Sequence, residues 1–377
     1  MTENKDFFQK AKRIVLKIGS SLLVDEGTGR VKHTWLNSLA DDVAAARERG
    51  KDVIIVTSGA VAVGRRALGL PSGKLSLPKK QAAAAVGQIR LAHYYQEILA
   101  ERGLNVAQVL LTLDDSEDRK RYLNARNTLN TLLDIGAVPV INENDTVAAA
   151  EIKVGDNDRL AARVAQMASA DALIIFSDIN GLYNADPRKN PEAKLIPVVT
   201  KLTKEIEAMG GGSGSSVGTG GMATKLMAAR ICMDAGCDMV IASGKGLHPL
   251  SRMENSGRYT HFVAATSPVS ARKAWIGGSI KPRGTLILDQ GAVLALEHGK
   301  SLLPAGVKSV EGTFGRGDAV LLKDEKGNDL GKGLTAYNSH DARLIAGRHS
   351  DEIESLLGYH GQEEIVHRDD MVTEKRG

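Results

Sequence analysis

Apolar residues along the first two thirds of the chain fall into blocks of two alternating textures. One is a short run, apolar almost throughout, that stops in small or polar residues. Such runs are "RIVLKIGSS" (13–21), "DVIIVTSGA" (52–60), "NVAQVLLT" (105–112), "AVPVIN" (137–142), "ALIIFSD" (172–178) and "DMVIASG" (238–244). The other is a longer segment with helical spacing, at 33–50, 78–103, 121–136, 158–170 and after Lys225. Strands without polar alternation are buried on both faces. Their alternation with helices predicts an α/β fold, a mostly parallel sheet sandwiched by helices.

After about residue 262 the texture changes. Short β-like runs broken by Gly follow, such as "GTLILD" and "LGKGLTAYNS", with one helical period near "SHDARLIAG" (339–347). These predict a separate, small β-rich domain. The expected organisation is residues 1–262, a domain over 280–360, and a loose tail over 361–377.

Small polar residues recur just after the predicted strand ends: Gly19-Ser20-Ser21, Ser58-Gly59-Ala60, Asn142 to Asp145 and Ser177-Asp178. Ligands of open α/β sheets bind at the carboxyl ends of the strands, so these ends read as one site.

Composition narrows the class. With 42% hydrophobic and 25% charged residues, the chain buries a sizeable core. Residues 1–279 carry 36 Lys/Arg against 29 Asp/Glu, while residues 280–377 carry 13 against 16. The basic excess of the first part suits a phosphorylated ligand, and the acidic second part makes a poor generic RNA binder. Two cysteines, Cys232 and Cys237, build neither a disulfide framework nor a four-ligand zinc site, and read as reduced packing residues. No apolar leader and no membrane-length run is visible, so the expectation is a cytoplasmic protein without membrane contact.

Four stretches carry candidate chemistry. "GGGSGSSVGTGGMATKLMAARICMDAG" (210–236) runs from bare backbone into a helix. Lys225 follows Thr224 rather than Gly, so this is not the usual phosphate loop. Exposed N–H groups, a helix start and a lysine still attract anions, and the alternative is a flexible linker before a surface helix. Lys17 stands inside the apolar run "VLKIGSS", either as a cation at a strand end or as an edge lysine that reaches outward. "INENDTVA" (141–148) and "VGDNDRLAARVA" (154–165) are Asn/Asp clusters. They suit a small polar substrate or Mg²⁺ near phosphates, and Asp156 or Asn157 would also serve as a plain helix cap. "SDINGLYNADPR" (177–188) reads as a loop after a strand.

These motifs, with "VTSGAVAVG" and "GTGGMATKLMAA", stand in the order and context of the bacterial glutamate 5-kinases of the amino acid kinase family, which residues 12–260 resemble. The region from 280 to 360 is similar to the barrel-like PUA domain that many of these enzymes carry. The resemblance implies phosphorylation of the γ-carboxylate of L-glutamate by ATP with Mg²⁺, the first step toward proline. It implies that Lys17 contacts the ATP phosphates and that Asp158 orients Lys17 and Lys225. Ser58, Asp145 and Asn157 would hold glutamate. Ser177 and Asp178 would contact the nucleotide, where relatives often carry Thr-Asp. Thr219, Gly220, Gly221, Met222, Ala223, Thr224 and Lys225 would line the ATP site. No residue is assigned to the metal.

The chemistry suits the residues. A carboxylate is already a nucleophile, so the reaction needs alignment and charge neutralisation rather than a base. Competing expectations are a kinase for aspartate, N-acetylglutamate, carbamate or UMP, and an RNA-binding PUA protein. The "INENDTVA" and "GDND" pair favours glutamate, and the acidic balance of 280–377 with few aromatics argues against RNA. The resemblance also implies feedback inhibition by L-proline, a homo-oligomer (dimer or tetramer) and transient contact with glutamyl phosphate reductase.

Overall fold

The six apolar runs form six neighbouring parallel strands. In the computed structural model, which describes residues 6–25, 27–71, 73–147, 156–211, 221–279 and 281–373, these are β1 (Arg13–Ile18), β2 (Asp52–Val56), β3 (Val106–Leu111), β4 (Val138–Glu143), β5 (Ala172–Ser177) and β7 (Asp238–Ser243). With β6 (Val198–Val199) and β8 (Tyr259–Phe262) they make one eight-stranded sheet, ordered β3-β4-β2-β1-β5-β7-β8-β6. Among the described strands of this sheet only the β7–β8 pair is antiparallel.

Successive residues of a strand point to opposite faces. In β1, Ile14, Leu16 and Ile18 enter one core with Trp35, Leu39 and Leu91, whereas Val15 enters the other with Leu129, Leu160 and Ala229. Lys17 shares the parity of Val15, which turns it toward the helices of the second face. Four helices shape the site: α1 (Ala60–Ala67), α2 (Leu77–Ala100), α3 (Asp156–Met167) and α4 (Met222–Asp234). The turn from β2 into α1 passes through Gly59, whose φ of +104° belongs to the left-handed region that glycine tolerates. A Cβ there would also lie 3.1 Å from Val24 Cγ2.

Contacts divide the chain into two units, Met1–Pro268 and Val269–Gly377. The second is built on a five-stranded sheet of β9 (Gly284–Leu288), β10 (Val307–Gly312), β11 (Ala319–Asp324), β12 (Asp329–Leu334) and β13 (Met371–Thr373), ordered β10-β9-β11-β12-β13. The helical period near 339–347 corresponds to the helix Ser339–Ile345, capped by the Asn338 side chain. A further helix, Gln290–Glu297, lies where the sequence shows no helical period. Asp289 starts it by accepting the Ala292 N–H at 2.7 Å.

The loose tail expected over 361–377 is not loose where it is described. Ile365 and Val366 are fully buried in the second core. Leu302 N–H donates to Val366 O at 2.8 Å, and Arg272 Nε donates to Asp370 Oδ1 at 2.9 Å. β13 then pairs antiparallel with β12. Gly331 makes this docking feasible, because a Cβ there would come 2.0 Å from Val372 O. The apolar positions of this segment are too few and too widely spaced to show a period, so only tertiary packing reveals them. Residues 374–377 lie outside the described part.

Candidate active site

The carboxyl end of β1 and the first turns of α3 and α4 converge on one carboxylate. Lys17 Nζ lies 2.5 Å from Asp158 Oδ1, and Lys225 Nζ lies 3.1 Å from Oδ2. The Thr224 hydroxyl donates to the same Oδ2 at 2.9 Å. Lys17, Asp158 and Lys225 are 7%, 1% and 8% exposed, so all three charges have left bulk water. A buried ion is costly unless opposite charge and hydrogen bonds surround it. Burial pushes the Asp158 carboxyl up, but the two ammonium groups outweigh it and hold the group below its ordinary range. Lys17 is lowered because burial outweighs the attraction of Asp158, which raises it, and Lys225 adds a smaller repulsion. The cluster carries two cations on one anion. It is therefore short of negative charge, as an anion-binding centre should be.

Next to Asp158, Asn157 turns toward the end of β2. Its Nδ2 donates to Thr57 O and Ser58 Oγ, each at 2.8 Å, and to Asn142 Oδ1 at 3.1 Å. Asn142 in turn donates to Gln88 Oε1 at 2.6 Å, which ties β4 to α2. These bonds fix Ser58 and Asn157 as one rigid edge.

Two clefts meet at Lys225. The first, about 400 Å³, is lined by Lys17 and Lys225 together with Ser58, Asn142, Asp145 and Asn157. The second, about 480 Å³, runs along the loop from Asp178 to Lys189 and past Gly210, Gly221 and Met222. Ser177, Asp178 and Lys225 line both. Ser177 Oγ donates to Asp178 Oδ1 at 3.1 Å, and Asp178 Oδ2 pairs with Arg188.

Most of the residues singled out in the sequence thus come together: Lys17, Asp158, Thr224 and Lys225 in one cluster, Ser58, Asp145 and Asn157 in one cleft, and Ser177, Asp178, Gly221 and Met222 on the other. Ala223 is exposed and lines neither cleft. Thr219 and Gly220 lie outside the described residues, as do the loop residues 148–155. The sequence reading missed Arg65 and Lys80, which line the first cleft. Their positions in "GRRA" and "PKKQ" look like ordinary basic residues at helix ends, and only the packing of α1 on α2 sets them apart.

Among the described residues no three His, Cys, Asp or Glu side chains form a metal cluster. Both oxygens of Asp158 are engaged by lysines. The donor set does not build a cation cage. It fits a Mg²⁺ that arrives on the phosphates of its nucleotide, since Mg²⁺ usually needs few protein ligands. Cys232 and Cys237 are buried free thiols, and no described helix is long and apolar enough to cross a membrane.

A covered parallel sheet whose strand ends carry two buried lysines on one carboxylate, between two clefts, defines a phosphoryl-transfer enzyme of the amino acid kinase type. The model of the amino acid kinase family matches residues 12–243, and that of the PUA domain matches 284–357. A glutamate 5-kinase of Paramagnetospirillum magneticum is 64% identical, covering 97% of this chain and 98% of its own length. One of Rhodospirillum rubrum is 60% identical over 96% of each. The solved carbamate kinase from Giardia lamblia bound to AMP-PNP shares the fold, with a TM-score of 0.50, 15% identity, and coverage of 68% of this chain and 99% of that one. The chain belongs to the amino acid kinase family and, within it, to the glutamate 5-kinases.

Proposed function

We propose that the chain transfers the γ-phosphoryl group of MgATP to the γ-carboxylate of L-glutamate, releasing ADP and L-glutamyl 5-phosphate, the first step of proline biosynthesis. The observation that carries this reading is the Lys17–Asp158–Lys225 cluster at the junction of the two clefts. The nucleotide enters the second cleft and the acceptor the first. Ser177, Asp178, Gly221, Met222 and Lys225 face the nucleotide, with Thr219, Gly220, Ala223 and Thr224 assigned to the same role by their motif alone. Ser58, Asp145 and Asn157 hold the amino acid.

One γ-carboxylate oxygen attacks the γ-phosphorus while the bond to the ADP oxygen breaks. The carboxylate is already ionised, so no proton moves and no base is required. The difficulty lies in bringing two anions into line and in the charge spread over the transferring group. Lys17 and Lys225 meet that charge from largely buried positions, where fixed cations act strongly. Asp158 keeps the two ammonium groups apart from each other and aimed at the junction. Mg²⁺ enters as part of the nucleotide substrate and shields its phosphates.

Acyl phosphate trapped with hydroxylamine tests this reading. With MgATP, glutamate is expected to give hydroxamate, and aspartate, N-acetylglutamate and buffer alone are not. Hydroxamate from another acceptor, or from none, contradicts it.

The same reading extends to regulation and context. L-proline competes with glutamate for the first cleft, so it raises the glutamate KM and leaves kcat unchanged. The enzyme works in the cytoplasm as a homo-oligomer, a dimer or tetramer. Its product cyclises readily in water, which favours transient contact with glutamyl phosphate reductase. The family resemblance and the acyl phosphate chemistry support these points.

A further inference from the structure

The first cleft carries two cations that phosphoryl transfer does not use. Arg65 and Lys80 line it beside Ser58, Glu143 and Asp145, and neither lines the nucleotide-side cleft. The crossing of α1 and α2 puts them on one wall. Arg65 directly follows Gly64, which packs against Ala83, and Lys80 lies three positions before Ala83 on α2. The Arg65 guanidinium is anchored by donating from Nη2 to Gly73 O. Its Nε is buried with no hydrogen-bond partner among the described residues. An unmet buried donor on a guanidinium is unfavourable and suits an anion that completes it.

The acceptor's charges complement this wall. Glutamate has its γ-carboxylate at one end and an ammonium and a second carboxylate on one carbon at the other. With the γ-carboxylate at the lysines, two cations and two carboxylates of the lining remain for the far end, the complement of a zwitterion. We propose that Arg65 and Lys80 bind the α-carboxylate of the acceptor, while Glu143 and Asp145 face its ammonium. A planar guanidinium and a mobile ammonium together suit a carboxylate. This inference rests on glutamate as the acceptor, and it makes the α1–α2 wall the element that selects for an amino acid.

The test compares the wild type with Arg65→Met and Lys80→Met, using three ligands. These are L-glutamate as substrate, and glutarate and 4-aminobutyrate as competitive inhibitors against it. Glutarate lacks the ammonium and keeps both carboxylates. 4-Aminobutyrate lacks only the α-carboxylate. Each variant is expected to raise the glutamate KM by roughly 10- to 100-fold, the scale of a lost charged hydrogen bond. It should weaken glutarate similarly, with kcat within a few-fold and the ATP KM unchanged. The inhibition constant of 4-aminobutyrate should not move, and Arg65→Lys and Lys80→Arg should recover part of the loss. Equal weakening of all three ligands would mean a merely structural role and overturn the proposal, as would an unchanged glutamate KM. A wild type that does not phosphorylate glutamate would instead overturn the acceptor reading, and would be seen before any variant is made.

Discussion

Gly64 of α1 and Gly87 of α2 meet backbone to backbone. A Cβ on Gly64 would lie 2.7 Å from Gly87 N and 1.7 Å from Ala83 O, and one on Gly87 would lie 1.8 Å from Ala60 O. No rotamer change relieves a clash with a carbonyl oxygen, so any side chain at either position forces the helices apart. Ser58, Gly59 and Ala60 lead into α1, and this contact therefore sets the wall of the acceptor cleft.

Gly64→Ala and Gly87→Ala are expected to destabilise the protein by at least the roughly 1–3 kcal/mol typical of overpacking. They should also raise the glutamate KM more than the ATP KM. Melting curves and steady-state kinetics check both. Normal stability together with a normal glutamate KM would show that the two helices are free to separate.

The charged cluster predicts a pH dependence. In the proposed reaction Lys17 must keep its proton to meet phosphate, and burial, with help from Lys225, lowers its pKa below the ordinary 10.5. The ratio kcat/KM reports the free enzyme, so it should fall on the alkaline side with an apparent pKa below 10.5. Asp158 is the neighbour that raises Lys17, so Asp158→Asn should move this limb to lower pH, besides reducing kcat. A limb that stays or moves upward contradicts the assignment.

The same shifts act on stability with definite signs. Asp158 is depressed, so its contribution is present above its ordinary 3.8 and is lost as pH falls through the folded value. Lys17 is also depressed, which for a base means that its protonated form costs stability. That cost is relieved as pH rises from the folded value toward 10.5.

Residues 365–373 belong to the core of the second unit, so a chain ending at 360 should lose much of that unit's stability. Deletion uncovers Ile365, Val366 and Met371, each a side chain whose burial contributes roughly 1.5–3 kcal/mol. Hydrogen exchange of the β12 amides is the direct readout. Unchanged protection would restore the picture of a loose tail.

The strands and most of the long helices are legible in the sequence because each carries a complete local signal. The apolar runs mark strands covered on both faces, and Lys17 stands out as a charge within one of them. Asp158, Lys225, Ser58 and Asn157 are reached through motifs at strand and helix ends. The contact of Gly64 with Gly87 leaves no such trace, since glycine inside a helical run reads only as a weak helix former. Arg65 and Lys80 are hidden for the same reason, because their meeting depends on how closely two helices cross. The segment 361–373 is short and polar on average, and its three buried apolar side chains acquire meaning only against β12 and Leu302.

We propose that Lys17 and Lys225 act on charge that develops during transfer to glutamate. Rapid-quench single turnover with γ-labelled ATP, saturating glutamate and Mg²⁺ tests it most directly, with wild type, Lys17→Ala and Lys225→Ala side by side. The wild type is expected to carry the label into acyl phosphate. Each variant should still bind glutamate within a few-fold and transfer the phosphoryl group slower by about 10²-fold or more, the scale of one lost electrostatic donor. Transfer at the wild-type rate in either variant would remove that lysine from the reaction.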